Sequence, residues 1–192
     1  MDETSTSLLD QLRLTGDEDA WARLLAVYSP LVQGWLARHG LPRQEAEDVT
    51  QEVLAVLVRR MPEFVREPRA GAFRRWLRSI TVNCLRDHWK RGRRAPRGGP
   101  LDEAALEQLA DPTSDLSREW DREHDQHVTR QLLDQIKPRF EATTWEAFRR
   151  FALYEEPAEQ VAESLGLTVN AVFIAKSRVL SRLRQEGAGL LD

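Results

Sequence analysis

Apolar residues recur every three or four positions through most of the chain, and no stretch alternates for long enough to suggest a strand. This period predicts an all-α protein. One helix is expected from Leu41 to Met61, opened by Pro42, with Ala46, Val49, Val53, Val56 and Leu57 facing inward. Its outer face collects Glu45, Asp48, Gln51 and Glu52. A second helix aligns Phe73, Trp76, Leu77, Ile80, Cys84 and His88 on one face, and Arg75, Arg78, Val82, Arg86, Trp89 and Arg93 on the other. Near the C-terminus, Val161, Ala162 and Leu165 form a short stripe behind Pro157, a residue suited to a first helical turn. Gly166 then suits a left-handed C-cap, and the Thr168 hydroxyl can cap a following helix that carries Val172, Val179 and Leu183 on one face. Two helices crossing steeply need a small residue at the crossing (Ala162), a glycine in the turn (Gly166) and a branched apolar residue early in the second helix (Val172). The spacing of four and then six fits a helix-turn-helix.

Glycine and proline punctuate this pattern at a few places, and Arg91 to Pro100 (RGRRAPRGGP) has no apolar face at all. The acidic stretch behind it allows a weak helix over Leu101 to Leu109 but looks too poor in apolar residues to fold alone. The expected organisation is two helical domains, 1–95 and 117–192, joined by a flexible acidic linker at 96–116.

Composition adds that hydrophobic residues make up 41% and charged residues 31%, as in a soluble globular protein. No apolar run approaches the roughly 18 residues of a membrane span, and Met1 to Ser7 is polar and acidic, unlike a signal peptide. A lone cysteine, Cys84, allows no internal disulfide, which points to the cytoplasm. Charge changes the picture more. The net charge is −3, but Arg59 to Arg97 carries +10, Gly98 to His127 carries −7, and residues 1 to 58 carry −6. Segregation of this kind suggests one surface for a polyanion and another for a basic partner.

The arginines of the second helix, interleaved with Trp89, can neutralise phosphates and stack on unpaired bases. Trp89 has a second reading, as the residue that closes the end of a core. The loop from Val65 to Gly71, with Arg66 and Arg69, is short, basic and bounded by proline and glycine, and could receive a flipped base. On the last helix Thr168, Asn170, Ala171, Ile174, Ser177, Arg178 and Ser181 fall where base edges or the nearest phosphates would lie, with Arg182 and Arg184 further along. The acidic face of the 41–61 helix suits a basic partner, or is simply solvated. An enzyme is the weakest reading. The His124/His127 and Cys84/His88 pairs could ligate metal, but His88 lies on an apolar stripe, and no phosphate loop, nucleophile motif or acidic metal cluster accompanies them. No cofactor or metal is expected.

Taken together, these segments resemble the extracytoplasmic-function group of the sigma-70 family, over about residues 17–95 and 120–186. Glu45 to Val53 (EAEDVTQEV) is similar to that family's polymerase-clamp-binding helix. Phe73 to Asn83 (FRRWLRSITVN), followed by Asp87, is similar to the helix bordering the −10 element. Val161 to Val172 (VAESLGLTVNAV) is similar to its −35-binding helix-turn-helix. The resemblance implies a sigma region 2 and a sigma region 4, and a non-enzymatic factor that brings core RNA polymerase to promoter DNA. Glu45, Asp48, Gln51 and Glu52 would meet the β′ clamp, and the β flap would be a further contact. Arg66, Arg69, Arg75, Arg78, Asn83, Arg86 and Trp89 would act at the melted −10 region, with Asn83 and the 65–71 loop holding an unstacked base. An anti-sigma factor is a possible partner. The run Phe173-Ile174-Ala175 departs from the basic or polar residues many relatives carry there, and suggests a more apolar −35 readout, with Ile174 against a thymine methyl. A transcriptional regulator acting without polymerase is the rival reading, and would need a ligand, phosphorylation or dimerisation domain.

Overall fold

A computed structural model describes residues 7–14, 17–64, 71–91 and 101–191. Every regular element among them is helical, as the period predicted. The helices are α1 (Leu8–Leu14), α2 (Glu18–Arg38), α3 (Arg43–Arg60), α4 (Ala72–Lys90), α5 (Glu103–Ala110), α6 (Asp115–Ile136), α7 (Ala142–Phe148), α8 (Ala158–Leu165) and α9 (Val169–Glu186). No helix among the described residues is long and apolar enough to cross a membrane. The chain divides into two compact units, the first from Ser7 to Val128 with the last five residues, the second from Thr129 to Gly187.

In the first unit α2, α3 and α4 pack around a core of large side chains, including Tyr28, Trp35, Leu57, Phe73, Leu77 and Leu85, all fully buried. Rings interlock across it: Tyr28 lies 5.3 Å from Phe73, and Phe64 meets Phe73 edge-on at 5.5 Å. Such pairs contribute about 0.5–1.5 kcal/mol beyond the area they bury.

The division is drawn later than the sequence suggested. Residues 101–116, read as part of a flexible linker, are largely helical, and α5 packs on α4 with Leu101, Leu106 and Leu109 buried. Asp102 caps α5, accepting a hydrogen bond from the Ala105 N–H at 2.9 Å. The first half of α6 also belongs to this unit. It buries Ser117, Trp120, His124 and Val128, spaced three and four apart. The stripe is helical in period, but two of its four members are polar, so an apolar count overlooks it. Trp120 meets Trp35 edge-on at 5.0 Å.

His124 is completely buried yet satisfied. Its Nε2 lies 3.2 Å from the Tyr28 hydroxyl and its Nδ1 3.0 Å from the Asp125 carboxylate. A neutral ring fits both partners, donating from Nδ1 to Asp125 and accepting from Tyr28. Burial pulls its pKa below the ordinary 6.5, although Asp125 pushes the other way. The folded state therefore resists a proton that the unfolded chain accepts below that value. This contribution to stability is complete above pH 6.5 and declines as pH falls, by at most about 1.4 kcal/mol per pH unit. Urea midpoints at pH 7.5 and 5.5 should differ in that direction, and His124→Gln should reduce the difference. An unchanged difference would remove His124 as its source.

The second unit is built from the end of α6 with α7, α8 and α9. Val161, Ala162, Val172 and Ala175 bury together where α8 crosses α9, with Ala147 and Ala158. A second cluster joins Ile136, Phe148 and Val179. Gly166 ends α8 at φ +64°, and the Leu167 N–H reaches back to the Ala162 carbonyl at 2.9 Å. A side chain at that left-handed position would be strained. Thr168 caps α9 as predicted, its hydroxyl accepting from the Ala171 N–H at 3.1 Å.

Candidate polymerase and nucleic-acid interface

The acidic face of α3 follows from its buried face. Ala46, Val49, Val53 and Leu57 turn inward with Thr50 and Leu54, while Val56 is half-buried. This leaves Asp48 and Gln51 exposed, and Glu45 and Glu52 at the border with α4. Both border residues make contacts within the unit. Glu45 lies 3.2 Å from His88 Nε2, and Glu52 pairs with Arg91 at 2.6 Å. Asp48 and Gln51 form the exposed crest, and Glu45 and Glu52 at its border tie α3 to the last turn of α4. Glu47, exposed beside them, bonds Arg43 and Gln33.

On α4 the inner stripe is largely as expected, with Phe73, Leu77, Ile80, Cys84 and His88 buried and Trp76 half-buried. Burial pushes the Cys84 thiol up to about 11, so it is protonated and a poor nucleophile at neutral pH. The opposite face requires corrections, and Val82, placed there from sequence, is buried. Arg78, expected on DNA, is only 4% exposed. It donates to the Ser117 carbonyl at 3.2 Å and to the Asp121 carboxylate at 2.8 Å. Arg74, one turn earlier, pairs with Asp125 at 2.6 Å. Trp89, read two ways from sequence, is buried and closes a core. The reason is common to all: α4 is covered on two sides, by α2 and α3 and also by α5 and α6, so less of its circumference meets solvent.

What remains on the outside is a strip bearing Arg75, Ser79, Asn83 and Arg86. With Leu109, Ala110 and Pro112 from α5 and the turn after it, these residues line a groove of about 320 Å³. Two arginines around an exposed asparagine, beside an apolar wall, can bind phosphates and lodge a flat unpaired base. Arg66 and Arg69 of the 65–71 loop, and Arg93, lie outside the described residues; Gly71, at φ +74°, forms the N-cap of α4.

In the second unit α9 buries Val172, Ala175 and Val179. Its opposite face exposes Asn170, Ile174, Ser177, Arg178, Ser181 and Arg184, six of the nine residues expected to read or hold DNA. Thr168 is exposed but its hydroxyl is used as the cap, and Ala171 is half-buried. Arg182 differs from expectation. It turns onto the buried Glu186 carboxylate at 2.8 Å, which Arg139 also approaches at 3.4 Å, so it serves the domain's structure. Phe173, absent from the expected set, is 48% exposed beside Asn170 and Ile174. Lys176 does not reach outward: its ammonium lies over the Phe151 ring, 5.0 Å from the centroid. A separate groove of about 810 Å³ in this unit is lined by Leu133, Phe140, Trp145 and Leu153 with charged residues at its rim.

Comparison with known proteins bears on the first unit most directly. No curated protein sequence matches the chain. Among solved structures, a chain of the RsbN–BldN complex is similar at 19% identity, covering 92% of this chain and 97% of that one. Its TM-score is 0.36, too low to carry an argument. The family description "Sigma-70 region 2" matches residues 24–95, the stretch from α2 through α4 that holds the acidic crest and the arginine strip. This stretch of the chain is therefore similar to region 2 of the sigma-70 family of RNA polymerase sigma factors.

Proposed function

We propose that the chain is a sigma factor of the extracytoplasmic-function type, which carries core RNA polymerase to promoters and opens them through contacts at the −10 and −35 elements. The observation that carries this reading is the occurrence, in one short chain, of a region 2 match over α2–α4 and a capped helix-turn-helix with a basic outer face. In this reading the α3 crest docks on the β′ clamp. Arg75, Asn83 and Arg86 hold the displaced −10 strand in the α4 groove, and α9 enters the major groove at −35. The apolar groove beside Trp145 is the surface assigned to the β flap, since it offers aromatic and aliphatic area at a charged rim. An anti-sigma factor would act by covering either DNA-binding strip. A regulator working without polymerase would have no use for the α3 crest.

Run-off transcription with core polymerase, on promoters found by sequencing transcript starts, tests the proposal. Transcripts should start at defined sites only when the chain is present. Sequence-specific DNA binding that neither requires nor recruits core would support the rival regulator instead. The crest has its own test. Asp48→Arg with Gln51→Arg places like charges where a basic partner docks, and should weaken core binding by at least about ten-fold while the chain stays folded. Equal affinity in a pull-down or titration would withdraw the crest from the polymerase interface.

A further inference from the structure

We infer that α9 reads an upstream promoter element made of A·T pairs, and that Phe173 and Ile174 together cover the 5-methyl groups of adjacent thymines. The inference rests on the reading of the second unit as the −35-binding domain and specifies what that domain recognises. Asn170, Phe173, Ile174 and Ser177 recur at i, i+3, i+4 and i+7 on the exposed face, within the first turns of α9 after its Thr168 cap. Phe173 and Ile174 are each 48% exposed, so the middle of that surface is apolar. Phe173 is also held in place: its ring stands edge-on to Phe151 at 5.2 Å and 80°, and Phe151 is backed by the Lys176 ammonium.

Charge indicates the occupant. Arg178 and Arg184 are exposed on the same helix, and no acidic residue precedes Glu186. A basic rim around a small apolar centre suits duplex DNA, whose major groove offers phosphates at its edges and, at thymine only, a methyl group on its floor. What is missing matters as much. Guanine is most often read by arginine or lysine reaching O6 and N7. From Val169 to Ala175 there is no arginine or lysine, and the first one, Lys176, is engaged with Phe151. Asn170 supplies the side chain that pairs best with adenine N6 and N7.

The test uses holoenzyme reconstituted from the full chain and core polymerase. Transcripts from a library randomised upstream of a fixed −10 element identify the preferred sequence. Each thymine in it is then replaced by uracil, which removes only the methyl group. The selected element should contain adjacent thymines, and uracil should lower open-complex formation about four-fold for each methyl that is buried. Ile174→Ala and Phe173→Ala should each abolish the thymine–uracil difference at one base while −10 dependence stays the same. Because the wild-type comparison needs no substitution, a poorly folded variant leaves the test intact. A selected element with guanine at those positions, or equal output with thymine and uracil, overturns the inference while leaving the −35-binding reading in place. If no upstream sequence is selected, the −35-binding reading fails as well. If the two alanine variants lose affinity for core polymerase instead of promoter preference, the apolar pair is a protein-docking surface and the inference is wrong.

Discussion

Trp120→Ala should destabilise the first unit by about 3–5 kcal/mol, the usual cost of deleting a fully buried large aromatic side chain. Trp120 is 1% exposed and meets Trp35 edge-on in the core. On sequence grounds it belongs to the second domain, and a change there would be expected to spare region 2. The structure predicts the reverse: urea or thermal unfolding of the first unit shifts strongly, by roughly 10 °C or more. DNA binding by the helix-turn-helix on its own should persist. A shift below about 1 kcal/mol would mean that the first half of α6 is not part of the region 2 core.

Asp121→Ala is expected to cost about 3 kcal/mol by a different route. Asp121 pairs with Arg78 at 2.8 Å and approaches Arg74 at 3.5 Å, while the Arg78 side chain is only 5% exposed. Removing the carboxylate strands a guanidinium that cannot shed its proton. The figure sits at the low end for a broken buried pair because Asp121 is itself partly open to water. Replacing both partners, as Arg78→Met with Asp121→Leu, should recover most of the loss, since an apolar pair of similar volume avoids desolvating charge. A double-mutant cycle by chemical denaturation measures this directly. If Arg78→Met alone abolishes promoter melting without affecting stability, Arg78 is a DNA residue after all.

Much of this arrangement was legible in the sequence. The helical period placed α3, α4, α8 and α9 to within a few residues, because each carries an apolar stripe bounded by proline, glycine or threonine signals. Gly166 was readable as a left-handed cap, and Thr168 down to the hydrogen bond its hydroxyl accepts. The misplaced boundary has a physical origin. Ser117 and His124 occupy core positions by finding hydrogen-bond partners, so they look like surface residues until those partners are known. The fate of Arg78 was hidden for a related reason, whereas Arg182 and Glu186 are an i,i+4 pair on one helix. A helical wheel shows which residues share a face, but not that Asp121 lies opposite Arg78. Ion pairs between residues 43 positions apart leave no local trace. Phe173 was visible as an oddity in the motif, and its bracing by Phe151 required the fold.

In the proposed role, the pairing of Arg74 and Arg78 with Asp121 and Asp125 would also govern how the free protein moves through a cell full of DNA. Affinity for arbitrary duplex is driven by the counterions that basic side chains displace from phosphates, and it changes by a roughly fixed factor with each cation that takes part. Two guanidinium groups neutralised inside the fold displace none. The unaccompanied factor would accordingly be held more loosely by bulk chromosome than the +10 run of Arg59 to Arg97 suggests. It would stay available for capture by polymerase, with specific DNA engagement left to the basic side chains on the outside.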